Sequence, residues 1–147
     1  MQNIDSIEAD YVLRTPIEHR KHYAQFFTPI SLAEVMTDWL VKKGNIVSVL
    51  EPAFGLGVFS RCLLSKKEHL EVIGFDVDER ILNESRKLYG DQIHLLNQDY
   101  MFNDWNNKYD AIICNPPYFK FHDYDNKKII DEIETRLSCK LNGFTNL

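Results

Sequence analysis

Ala111-Ile112-Ile113-Cys114-Asn115-Pro116-Pro117-Tyr118 is an apolar run that ends abruptly at an amide, two prolines and an aromatic ring. Such a run predicts a buried strand over Tyr109–Cys114 whose carboxyl end opens into a rigid loop, the place where open α/β sheets put their chemistry. Each proline fixes φ at about −65° and removes a backbone N–H, so the loop offers carbonyl oxygens without a competing donor. Asn115 adds a side-chain carbonyl and Tyr118 a flat ring. Two acceptor oxygens and a ring can hold both hydrogens of an exocyclic NH2 on a nucleobase while stacking on its face. Taken alone, the same residues also read as a proline-punctuated turn after a core strand.

Upstream, strand and helix patterns alternate. Ile46–Glu51 is a β-branched run ending in an acid, and Pro52-Ala53-Phe54-Gly55-Leu56-Gly57 follows as a tight loop into a helix carried by Phe59, Cys62 and Leu63. Leu70–Asp76 predicts a second strand that again ends in an acid. Asp78 opens a helix with Ile81, Leu82, Ser85 and Leu88 on one face, and Gly90 closes it. Gln92–Asn97 predicts a third strand, followed by Gln98-Asp99-Tyr100 and a brief irregular or helical stretch through Trp105. Short joins between alternating elements imply right-handed crossovers and a mainly parallel sheet with helices on both faces.

Toward the N-terminus the pattern weakens. Residues 1–14 are expected to be poorly ordered, leaving 15–147 as a partial domain. Thr15-Pro16-Ile17-Glu18 is a capping box that starts a short helix toward Tyr23. Gln25-Phe26-Phe27-Thr28-Pro29 breaks it. A longer helix then runs from Pro29 to a stop at Gly44, with Leu32, Val35, Met36, Trp39 and Leu40 on one face and Ser31-x-x-Glu34 as a second capping box. Beyond Tyr118 an aromatic and polar loop containing Phe119 and Phe121 leads to an amphipathic helix bearing Ile129, Ile130, Ile133 and Leu137.

Composition narrows the function classes. In 147 residues, 44% hydrophobic and 27% charged, there is room for one core. No apolar run approaches ~20 residues, so the reading is a cytoplasmic protein with no membrane partner. Cys62, Cys114 and Cys139 are scattered and odd in number, as reduced thiols are. His19, His22, His69, His94 and His122 have no partner at ligand spacing, so no metal is assigned. A net charge of −5 argues against a self-sufficient duplex binder, but not against an enzyme whose DNA grip lies elsewhere.

Three strands thus end at one sheet edge with Glu51 and its glycine loop, Asp76, and Asn115. Gly55 and Gly57 let backbone approach a ligand, and Asp76 follows at about 20 residues, the interval at which an acid meets a ribose diol. Where a dinucleotide loop has its third glycine this one has Ser60. An acid at its head fits a cofactor with an amino group better than one with a pyrophosphate; S-adenosyl-L-methionine has that composition.

The series Gln25-Phe26-Phe27-Thr28-Pro29, Glu51-Pro52-x-x-Gly55-x-Gly57, Gly74-Phe75-Asp76-Val77-Asp78, Asp99-Tyr100 and Asn115-Pro116-Pro117-Tyr118 resembles the DNA adenine-N6 amino-methyltransferases of type II restriction-modification systems. The likeness runs from Gln25 to Tyr118, and Gly143-Phe144-Thr145-Asn146-Leu147 resembles a further segment of that family. The resemblance implies a Rossmann-like S-adenosylmethionine-dependent methyltransferase fold, here its first four strands in the order 3-2-1-4. It implies that Thr28 holds the methionine carboxylate, and that Glu51 with the loop through Gly57 holds the amino end. Asp76 would take the ribose hydroxyls and Asp99 the adenine amino group, with Val77 and Tyr100 packing the ring. Asn115 and Pro116 would grip the target amine, and Pro117 and Tyr118 would line the base site for an adenine flipped out of double-stranded DNA.

The short chain leaves no room for further strands or a target-recognition region, so it is expected to be a catalytic fragment. Its fourth strand would then be an edge, open to the missing C-terminal half, to self-association or to coverage by its own tail helix. The alternatives are glutamine-N5 methylation of a protein, RNA adenine methylation, and a non-catalytic remnant that only binds the cofactor.

Overall fold

The structure, a computed structural model, describes residues 6–117 and 127–140. Tyr118, Phe119, Phe121 and the segment 143–147 lie outside the described residues. The chain divides into two compact units, Met1–Pro116 and Pro117–Leu147. In the second, α7 spans Lys127–Leu137, the helix expected there.

The first unit is built on four parallel strands: β1 (Ser48–Glu51), β2 (Glu71–Asp76), β3 (His94–Asn97) and β4 (Ala111–Ile112). They lie in the order β3-β2-β1-β4, the expected arrangement. The register pairs Glu51 with Gly74 and Asp76 with Asn97, so both acids stand at the carboxyl edge. The fourth strand is shorter than the expected Tyr109–Cys114 run, for two reasons. At its start Asp110 turns its carboxylate to the backbone nitrogens of Val47 and Ser48, at 2.8 and 2.9 Å. At its far end Pro116 and Pro117 have no N–H to extend a ladder. Ile113 still donates to the Leu50 carbonyl at 3.0 Å, which carries the chain to Asn115 in register.

Helices α3 (Ile30–Lys42), α4 (Val58–Leu64) and α5 (Glu79–Tyr89) supply most of the remaining core. In α3 the buried positions are Ala33, Thr37 and Leu40. The expected apolar face is only partly right, since Leu32, Val35 and Trp39 are 51%, 66% and 61% exposed. A polar residue fits inside because Thr37 donates back to the Ala33 carbonyl at 2.8 Å and accepts from Lys66 of the neighbouring turn at 2.9 Å. In α5, Ile81, Leu82, Ser85 and Tyr89 are buried. Leu88, expected among them, is half exposed because Tyr89 continues the i, i+4 row from Ser85.

The N-terminal segment differs most from expectation. Ser6–Arg14 forms helix α1, with Glu8 and Tyr11 buried. Its anchor is an ion pair: Arg61 of α4 meets the Glu8 carboxylate at 2.8 Å. Helix α2 (Ile17–His22) follows, one residue inside the expected start and without a side-chain cap. No helix among the described residues is long and apolar enough to cross a membrane.

Candidate functional site

The glycine loop after β1 is held from three sides. Phe54 donates its N–H to the Phe75 carbonyl at 2.8 Å, tying the loop to the end of β2. The Ser85 hydroxyl donates to the Gly55 carbonyl at 2.7 Å, and that of Tyr89 lies 2.8 Å from the Leu56 carbonyl oxygen and 3.0 Å from that of Gly57. The loop's carbonyls are thereby satisfied by α5. Gly55 and Gly57 sit at φ 54° and 68°, a left-handed geometry that side chains rarely adopt. Gly57 is constrained twice over, since a Cβ there would lie 2.4 Å from the Phe54 ring.

Asp76 closes the other side. Its Oδ2 accepts from the Gly55 N–H at 2.8 Å and its Oδ1 from the Asp78 N–H at 2.9 Å. Burial raises its pKa, and the backbone donors of Asp78, Gly55 and Val77 work against that rise. A carboxylate has about four acceptor sites, which leaves room for a further donor. Val77, next along, is 54% exposed.

Glu51 is buried and joined to the residue that replaced the third glycine. Ser60 donates to its Oε2 from the hydroxyl at 2.5 Å and from the backbone at 3.2 Å. Burial pushes its pKa up to about 8, against the pull of those donors. Ser60 is therefore part of the site's support, where its residue type alone read as a departure from a motif. The signal available in the sequence was the pairing of a buried acid with a hydroxyl one helical turn past the loop.

The segment Gln25–Pro29 links the two halves of the site. Gln25 donates to Asp78 Oδ2 at 2.6 Å, and His19 Nε2 lies 2.7 Å from the same oxygen. Asp78 also caps α5 through the Arg80 N–H. The Phe27 ring packs edge-on against Tyr11 and against the cluster that includes Leu56 of the glycine loop. Thr28, next to it, is buried. On the other side, the Asn115 side-chain nitrogen donates to the Phe26 carbonyl at 3.1 Å. Residues 25–27 thus touch the β2–α5 turn, the glycine loop and the amide at the end of β4.

Two expected site residues have other partners here. Asp99 caps the short helix α6 (Tyr100–Asn103) by accepting from the Met101 N–H at 2.9 Å. Tyr100 packs edge-on against Phe75, ring centroids 5.6 Å apart, beside Leu50 and Ile73. Pro116 and Pro117 follow Asn115 directly, and Tyr118 is outside the described residues.

A family model described as Eco57I restriction-modification methylase matches residues 39–142. Among curated proteins, the type II methyltransferase M.AccI of Acinetobacter calcoaceticus is 57% identical over 97% of this chain and 27% of its own length. The type II methyltransferase M.CvrRI of Paramecium bursaria Chlorella virus XZ-6E is 27% identical over 81% of this chain and 31% of its own. The chain therefore spans between a quarter and a third of these relatives. Among solved structures, the plantazolicin methyltransferase BpumL, in complex with a monoazolic desmethylPZN analog and SAH, superposes with a TM-score of 0.52. It is 22% identical, with 92% of this chain and 48% of that one covered, and the likeness is one of fold. The four-strand order is that of the Rossmann-like methyltransferase sheet.

Proposed function

Because the chain belongs to the Eco57I restriction-modification methylase family, we propose that it forms the donor pocket and amine-gripping loop of a methyltransferase acting on adenine N6 in DNA, with S-adenosyl-L-methionine as donor. The observation that carries the reading is the five-residue segment Gln25–Pro29, in which Phe27 packs against the cluster containing Leu56 of the donor loop and Phe26 accepts from Asn115 of the acceptor loop. Donor and acceptor loops are thereby held in one frame.

The residues fit that donor. Gly55 and Gly57 give a backbone that approaches a ligand closely, and Asp76 keeps lone pairs for a ribose diol. Thr28 would hold the carboxylate end, and Glu51 would answer the cationic amino end. Exposed Val77 would pack the ring together with Tyr100, and Asp99 would take its amino group. When bound, S-adenosylmethionine supplies a methyl group already activated on a sulfonium.

The chain's own task is positioning. The Asn115 side-chain oxygen and the Pro116 carbonyl accept the two hydrogens of the adenine amine. That geometry favours a pyramidal nitrogen and frees a lone pair otherwise delocalised into the ring. The same dipoles face the positive charge that develops on nitrogen, an electrostatic contribution on the order of a few kcal/mol. A strong base is unnecessary, because the methylated ammonium is acidic. Pro117 keeps the loop rigid, and Tyr118 stacks on the flipped base, a contact contributing roughly 1–3 kcal/mol.

Tritium transfer from labelled donor to duplex DNA, RNA and a Gly-Gly-Gln protein, run side by side, tests this. Label recovered as N6-methyladenine from the duplex is the expected result. Transfer to RNA or to glutamine instead would overturn the substrate assignment, and donor binding without transfer to any of them would leave a cofactor-binding module.

A further inference from the structure

We infer that the backbone carbonyl of Phe26 is a positioning group that sets which end of the Asn115 amide faces the substrate. This rests on the acceptor role proposed above for Asn115 and deepens it. A carbonyl oxygen can only accept, so the amide must turn its NH2 toward Phe26, at 3.1 Å. The side-chain oxygen is then directed about 120° away, as the planar geometry of the amide requires. Without that contact the amide could flip and present a donor to an amine that also donates.

The carbonyl is held where it is by its neighbours. Ala24 adopts φ 47°, a left-handed conformation unusual for a residue with a side chain. That bend is secured by the Gln25 N–H on the Arg20 carbonyl at 2.8 Å and the Phe26 N–H on the Ala24 carbonyl at 3.0 Å. Gln25 is clamped to Asp78 in turn. The bend directs the Phe26 carbonyl across 89 residues of sequence to Asn115.

The inference makes Asn115→Asp informative, because only a protonated carboxyl can both donate to Phe26 and accept from an amine. The ionisable groups interacting with the adjacent Cys114 are Glu51 of β1 and Tyr100 of α6, and Gln25–Pro29 contributes no ionisable side chain. Glu51 is uncharged in the acid range where the new carboxyl titrates.

The experiment is a carbon-13 NMR titration of the introduced carboxyl in the full chain. In the parent, a through-hydrogen-bond coupling between the Asn115 side-chain nitrogen and the Phe26 carbonyl carbon is measured alongside. The expected results are a detectable coupling, and a carboxyl titrating roughly half a unit or more above an ordinary aspartate. An ordinary or lowered titration, or no coupling, overturns the inference. Methyl transfer to duplex DNA by the same variant adds the second readout. Transfer that rises as pH falls through that titration supports the orienting role, whereas a better acceptor in the ionised form gives the opposite slope and refutes it. Parent-level transfer at every pH, with the titration still raised, would keep the Phe26 contact and sink the acceptor role of Asn115 instead.

Discussion

Asp76 Oδ2 lies 2.8 Å from the backbone nitrogen of Gly55, so the acid that ends β2 and the loop that ends β1 form one unit before any ligand arrives. Asp76→Ala therefore removes both the proposed ribose contact and a strut of the loop. S-adenosylhomocysteine binding, measured by calorimetry, is expected to weaken roughly tenfold to a hundredfold, the worth of a hydrogen bond to a charged group. Unchanged affinity would remove Asp76 from the cofactor site.

Asn115→Ala separates binding from transfer. The amide contacts Phe26 and none of the residues proposed to hold the donor, so cofactor affinity should stay within about twofold, a negligible free-energy change. Transfer should fall by roughly two to three orders of magnitude, as for loss of one preorganised electrostatic partner. Calorimetry and labelled-methyl transfer on the same preparation check the split, and lost cofactor binding would contradict it.

What the sequence disclosed and what it hid follow from the range of the interactions. Strand ends at Glu51 and Asp76 were legible because a polar residue stopping an apolar run is a local signal, and the same signal at Asn115 overran β4, which stops at Ile112. The strand order came from the family resemblance, and the structure bears it out. Helix α1 was not legible, because its buried Glu8 is paired with an arginine 53 residues away. Nor was the inward face of α3, since Thr37 is admitted by a bond to its own helix and another to Lys66. The part played by Phe26 was invisible in principle: it acts through its carbonyl, which every residue has.

Gly55 and Gly57 should respond differently to alanine. Both carry positive φ, which costs a side-chain-bearing residue about 1–2 kcal/mol. At Gly55 the nearest atoms to a new Cβ are 3.9 Å away, so that strain is the whole expected cost. At Gly57 the Phe54 ring, 2.4 Å from the added carbon, must also move, and it is buried against Tyr89. Overpacking of this kind adds about 1–3 kcal/mol. Denaturant unfolding of the two variants should rank Gly57→Ala as the less stable, and the reverse order would show that the ring is free to yield.

Glu51 gives a test by pH. Its carboxyl is pushed by burial from 4.5 in the unfolded chain to about 8 when folded. Between those values the native state holds a proton that the unfolded state has released, so stability falls as pH rises through the window. Below 4.5 both states are protonated, and above about 8 both are ionised, so the group contributes no slope there. Glu51→Gln keeps an oxygen for the Ser60 donors but has no proton to lose. Other titrating groups are common to both proteins and cancel in the difference. The parent should therefore lose stability relative to Glu51→Gln as pH is raised across the window, followed by thermal unfolding. A difference constant with pH would mean that the carboxyl is already ionised in the folded protein, and that water or a cation reaches it beneath the glycine loop.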